Sequence, residues 1–135
     1  MADLFEDEMI PLVMVMPSPY GDLSEESNVE NRDVVHEYWM LGPEKASEDP
    51  EANSAFWSEI GAAWRLDEAS ARRRTCSNCE YFDNTPKALE AMDVVPYDEY
   101  DMDGGGRGYC HEFQFICHSL RTCQEWEEKE YEFKD

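Results

Sequence analysis

Cysteine is confined to one part of this chain. Residues 1–75 contain none, and all five, Cys76, Cys79, Cys110, Cys117 and Cys123, lie in the 48 residues that follow. Their order is a Cys-x2-Cys hook, a gap of thirty residues, and then three cysteines separated by six and five residues. A disulfide framework calls for an even number and an exported chain. The apolar stretch Met9–Met16 is eight residues long, contains a proline and follows Asp3, Glu6, Asp7 and Glu8 rather than a basic region. It reads as neither a secretory signal nor a membrane span, which needs about 20 apolar residues. The expectation is a soluble protein made in a cytosol, where such a hook is more often metal-binding or redox-active. No βαβ pattern surrounds Cys76-Ser77-Asn78-Cys79, so a thioredoxin-like role is not expected.

Two metal chemistries fit the pattern. Structural zinc takes four thiolates in a tetrahedron, and His111 and His118, each directly after a cysteine, could replace one. Zinc ribbons, however, bring a second hook of close spacing, and Cys110 and Cys117 are too far apart for that. A [4Fe–4S] cluster takes four thiolates from different directions, which one hook and two separate cysteines can supply. The neighbouring aromatics Tyr81, Phe82, Tyr109, Phe113 and Trp126 would keep water from the sulfurs. Cys117 is then expected as a buried small residue, with ligation in place of Cys123 as the alternative. Each histidine alone reads as an ordinary, partly exposed side chain.

The segment CSNCEYF … GYC … TCQEW resembles the cluster motif of high-potential iron–sulfur proteins, in which a hook is followed by a third cysteine after a turn and a fourth near a tryptophan. By that resemblance Cys76, Cys79, Cys110 and Cys123 are the cluster ligands. The match covers residues 75–126, and the gap between the second and third cysteines is longer than that family's. A second resemblance is to small cysteine-rich proteins of tailed phages, marine and cyanobacterial ones especially. It rests on Phe56-Trp57, on Cys76-Ser77-Asn78-Cys79-Glu80-Tyr81-Phe82-Asp83, on Gly108-Tyr109-Cys110, on Phe115-Ile116-Cys117 and on Arg121-Thr122-Cys123-Gln124-Glu125-Trp126. It implies a virion component, capsid, neck or tail associated, whose partners are other virion proteins or copies of itself.

The remaining chain gives weaker signals. Residues 1–33 are expected as an extended acidic arm and linker, with 17–33 as loop, and the apolar Met9–Met16 stretch as a strand that docks on a neighbouring subunit or on its own domain. Residues 34–49 would hold a short helix over Val34–Leu41 and a loop. A metal-binding domain would fill 50–128, with a helix from Pro50 to Trp64 capped by Asp49, a helical continuation over Leu66–Arg74 and a short helix over Lys87–Asp93. Residues 129–135 would be an acidic tail. The expected fold class is a small metal-stapled α+β or irregular domain with few short helices.

Thirty-two acidic residues face eleven basic ones, a net charge of −21, and both halves of the chain are acidic. Direct binding to nucleic acid needs clustered Lys and Arg, so it is not expected, nor is attraction to an anionic membrane. The run Asp98–Asp103 lacks the spacing of a calcium loop and reads as a solvated face. No nucleophile–base pair or phosphate loop is present, so no enzyme is expected. Arg72–Arg74 and Arg121 read as local compensation for carboxylates or for an anionic metal–thiolate centre. Electron transfer, and mimicry of DNA by the acidic surface, are the alternative functions.

Overall fold

The computed structural model describes residues 19–129. They form a small α+β domain of four helices and a three-stranded antiparallel sheet. The helices are α1 (Glu25–Tyr38), α2 (Ser54–Trp64), α3 (Glu68–Ala71) and α4 (Pro86–Met92). The strands are β1 (Phe82–Asp83), β2 (Arg107–Cys110) and β3 (Phe115–His118), in spatial order β1-β2-β3. The expected docking strand at Met9–Met16 and most of the expected acidic tail lie outside the described residues. No described helix is long and apolar enough to cross a membrane.

The sheet divides the core by its period of two. Phe82 pairs with Cys110 and Cys110 with Phe115, while Gly108 pairs with Cys117, so these five share one face. On the other face Tyr109 and Ile116 pack with Tyr20, Ala88, Met92 and Val95, which brings α4 against the sheet. Gly108 has to be glycine: a Cβ there would run into the Phe82 ring. A third cluster, Trp57, Ile60 and Ala71, joins α2 to α3.

Helix α1 starts inside the segment expected to be loop, a correction to both the linker over 17–33 and the short helix over Val34–Leu41. Its start is fixed locally: Ser24 and Ser27 form a reciprocal capping box, and Glu25 and Glu26 sit in the first turn, where the helix dipole favours acid. The inner face is mostly polar, which is why periodicity misses it. Asn28 is buried and its Oδ1 accepts the Ile116 amide at 2.6 Å, while Asn31 Nδ2 donates to the Gln114 carbonyl at 2.8 Å. Strand β3 is an edge, and these two side chains cover its exposed backbone as a neighbouring strand otherwise would.

Three other expectations shift. Helix α2 begins at Ser54, not Pro50, because residues 50–53 turn first and Asp49 accepts from the Glu51 amide within that turn. The helix does not continue through Leu66–Arg74: Arg65 takes a left-handed conformation (φ 63°), and a fresh single turn, α3, is capped by Asp67. Helix α4 matches the expected Lys87–Asp93 within a residue and starts, as expected, on the Thr85-Pro86 cap.

Replacing Asn28 by Ala leaves the Ile116 amide buried without an acceptor, which costs about 2 kcal/mol. A urea midpoint unchanged by Asn28→Ala would contradict this account of α1.

Candidate metal centre

The five cysteines come from three places. Cys76 and Cys79 flank a single 3-10 turn, Cys76–Asn78, closed by reciprocal bonds between Thr75 and Asn78. Cys110 ends β2 and Cys117 lies in β3. Cys123 sits in an irregular strap, residues 119–128, which runs between two other parts of the chain. On one side the strap bonds to the hook: the Cys76 amide donates to the Arg121 carbonyl, and the Glu80 amide donates to the Glu127 carbonyl at 2.9 Å. On the other it pairs with the loop after α1, where Gly42 and Thr122 exchange backbone bonds of 3.0 and 2.7 Å. Gly42 also leaves room for the Phe56 ring, which a Cβ would strike.

This arrangement brings all five thiols to the wall of one cavity, lined also by Leu41, Tyr81, Phe82, Phe113, Phe115 and Trp126. It encloses about 360 Å³ of atom-free volume, counting its mouth, yet has room for the centre of only about one water (about 20 Å³). A polynuclear centre would therefore move the thiols outward. None of the cysteines is in a disulfide; four are buried and Cys123 is partly exposed. Among the described residues no three His, Cys, Asp or Glu side chains are grouped to hold a single metal ion.

The sulfurs differ in their surroundings. Burial pushes the Cys79 thiol up to about 11, opposed by hydrogen bonds from the Glu127 and Tyr81 amides. The Cys110 thiol is held below its ordinary value by a hydrogen bond from Cys117, aided by the Phe113 and Glu112 amides; the Phe113 amide lies 3.5 Å from its sulfur. Burial and the neighbouring Cys76 raise Cys123, and the Glu125 amide opposes them. Cys117 is different. It is wholly enclosed, and burial followed by its bonds to the Cys110 and Cys76 sulfurs raises it well above the ordinary thiol value. Amides aimed at sulfur favour the thiolate, the form that ligates metal. Cys79, Cys110 and Cys123 have them, whereas Cys117 is placed as a protonated donor to its neighbours.

Of the aromatics expected as cover, Tyr81, Phe82, Phe113 and Trp126 line the cavity, but Tyr109 faces the opposite core. Leu41 and Phe115 are cavity residues that sequence reasoning missed. The alternation of β3, which puts Phe115 and Cys117 on one face, could have found Phe115. Trp126 is fixed by its indole nitrogen, 2.9 Å from the Thr75 carbonyl, and the Arg74 guanidinium lies between Trp126 and Trp64, 4.7 and 5.1 Å from their rings.

Behind the hook lies a buried charged network that the sequence had placed at the surface. Asp101, expected in a solvated loop, has a side chain only 5% exposed and accepts from Arg107 Nε and bonds His118 Nε2, each at 2.8 Å. Burial acts to raise its carboxyl, but the bonds from Arg107, the Asp98 amide and His118 overcome that and hold it well below the usual range. His118, expected to be partly exposed, is 2% exposed, and burial lowers its pKa against the pull of Asp101. Arg121 is completely buried; it donates to the Pro43 and Glu44 carbonyls at 3.0 and 2.7 Å and meets His118 Nδ1 at 2.9 Å. His111 instead bonds Asp83 at 2.9 Å, on the other side of the sheet. Neither histidine lines the cysteine cavity.

No family model, curated protein or solved structure matches this chain.

Two outcomes follow from this geometry. Substituting Cys76, Cys79, Cys110 or Cys123 by Ala, one at a time, should abolish metal binding measured by elemental analysis, whereas Cys117→Val should keep it; loss only in Cys117→Val would reassign the ligands. The second concerns acid. The Asp101 contribution is present above the unfolded carboxylate value near 4 and is lost as pH falls through its depressed folded value. His118, held neutral, adds a loss that begins below about pH 6.5, where the unfolded chain takes up the proton first. The urea midpoint of metal-free protein should fall from pH 7 to pH 3, and Asp101→Asn should lower it at pH 7 and flatten the curve below pH 4. Parallel curves for the two proteins would exclude this role for Asp101.

Proposed function

We propose that this chain is an iron–sulfur protein whose small domain is stapled by a [4Fe–4S] cluster on Cys76, Cys79, Cys110 and Cys123. One observation carries the reading: five thiols from three separated segments line a single, mostly apolar cavity. Zinc bound by four of the same thiols is the alternative. When bound, the cluster would supply four strong bonds joining the hook, the β2–β3 hairpin and the strap. This chain's own residues hold the thiols, aim amides at three of them and exclude water with Phe82, Phe113, Phe115 and Trp126. Such a site does not preform in an unfolded chain, so its binding energy becomes folding energy. A small, strongly acidic domain gains most from that.

The role that follows is structural. We place the domain in a phage particle, docked on other subunits, with the residues before Tyr20 as the docking arm; the support for this location is the cysteine and aromatic punctuation of the sequence. A specific feature favours electron transfer as the second reading: Cys123 is the one thiol not fully buried, and beside it Trp126 reaches the surface. A staple needs no such exit.

Anaerobically purified protein should be brown, absorb in the visible and contain about four irons per chain, and chelation should lower its melting temperature. One zinc per chain without colour would replace the cluster by zinc, and no bound metal would end the reading. Detection by mass spectrometry in purified particles, at a fixed ratio to the major capsid protein, tests the location.

A further inference from the structure

Two groups beside the cysteine cavity lack a partner of the same kind. The Tyr100 hydroxyl is buried with no hydrogen-bond partner among the described residues. Its ring packs on the cysteine-containing core and is clamped between two guanidinium groups, with Arg121 Cζ 3.6 Å and Arg32 Cζ 4.5 Å from the ring centre. His118 meets it edge-on at 5.4 Å. The hydroxyl is therefore not free to turn towards another acceptor. Burial keeps the phenol protonated far above neutrality, and the thiols that act on it are Cys76 and Cys117.

Arg121 lacks an anion. It is completely buried, its bonds go to two backbone carbonyls and a neutral imidazole, and no carboxylate bonds it. Asp101 and Asp103 act on it from a distance, after Tyr100 and Cys76. A buried cation without a counter-charge costs several kcal/mol, and an unmade bond to a buried hydroxyl adds to that. Packing alone explains neither: Phe in place of Tyr100 would fill the same space without an orphaned oxygen. An anionic group with a sulfur acceptor next to Cys76 would satisfy both.

We infer that Tyr100, clamped by Arg121 against the cysteine-containing core, donates its hydroxyl hydrogen bond to a sulfur of the metal–thiolate centre, and that Arg121 is the buried counter-charge of that centre. This rests on the cysteine site binding metal. It makes Tyr100 and Arg121 positioning residues that favour the more negative, reduced state of the centre. A hydrogen bond to a charged acceptor is worth about 1.5–3 kcal/mol, so its loss shifts an equilibrium at least about tenfold.

The test uses Tyr100→Phe in the full chain, metal-free and loaded. In metal-free protein the substitution removes an unsatisfied hydroxyl, so the melting temperature should stay or rise. In loaded protein it should fall, release of metal to a chelator should quicken, and at a fixed ambient potential the ratio of oxidised to reduced centre should rise. Placing 3-fluorotyrosine at position 100, which keeps the shape and strengthens the donor, should move the ratio the other way. A purely structural Tyr100 would lower both melting temperatures equally and leave release and ratio unchanged, and that result overturns the inference alone. Wild-type protein that binds no metal overturns the proposed function and this inference with it.

Discussion

A guanidinium with no carboxylate of its own holds the middle of this domain. Arg121 ties the loop after α1 through the Pro43 and Glu44 carbonyls, fixes the His118 tautomer through Nδ1, and stacks on Tyr100. Its own carbonyl accepts from the Cys76 amide, so the hook takes its place from the same residue. Through His118 the network reaches Asp101 and then Arg107, whose guanidinium donates to the carbonyls of Met92, at the end of α4, and of Val95 after it. Space around it is tight: a Cβ on Gly104 would meet both Arg121 and His118, which explains a glycine in that loop. Acid dominates the composition, yet the two most consequential ionic groups of the interior are arginines.

The cavity is the complement of that network. Apolar rings make its wall, and the polar groups that enter it are sulfurs and the amides pointed at them. Low polarity penalises any thiolate, whereas amides and a nearby buried cation reduce the penalty. The site thus combines strong burial with selective relief at Cys79, Cys110 and Cys123 and none from the backbone at Cys117.

Sequence pattern was a good guide where chemistry is local and a poor one where it is not. The hook, the α4 cap and the aromatic stripe of α2 all depend on neighbours within a turn, and they stand within a few residues of expectation. Helix α1 was hidden because only Val35 of its inner face is apolar and buried; Asn28, Asn31 and Arg32 make the rest, and their value lies in the edge strand and aromatic ring they meet far along the chain. Asp101 and His118 were read as surface residues for the same reason: their burial depends on Arg107 and Arg121, which composition alone cannot place. The site itself was legible in its cysteines and most of its cover. Tyr109 was misplaced because strand alternation outranks adjacency to a cysteine.

The strap has a consequence for the order of events during synthesis. Residues 119–128 are made after every other described element, yet the loop after α1 and the hook bond to the strap from opposite sides. A nascent chain that has exposed everything up to β3 has α1 seated on the edge strand but lacks the backbone bonds that join the loop after α1 to the hook. Three of the proposed ligands stand in place while the fourth and the Trp126 lid are still inside the ribosome. Closure is a late, single step over a long loop, and until it happens the thiols are open to any metal or oxidant in the cell. On the proposed cluster reading, synthesis where oxygen is scarce or where the metal donor is already waiting would protect those thiols.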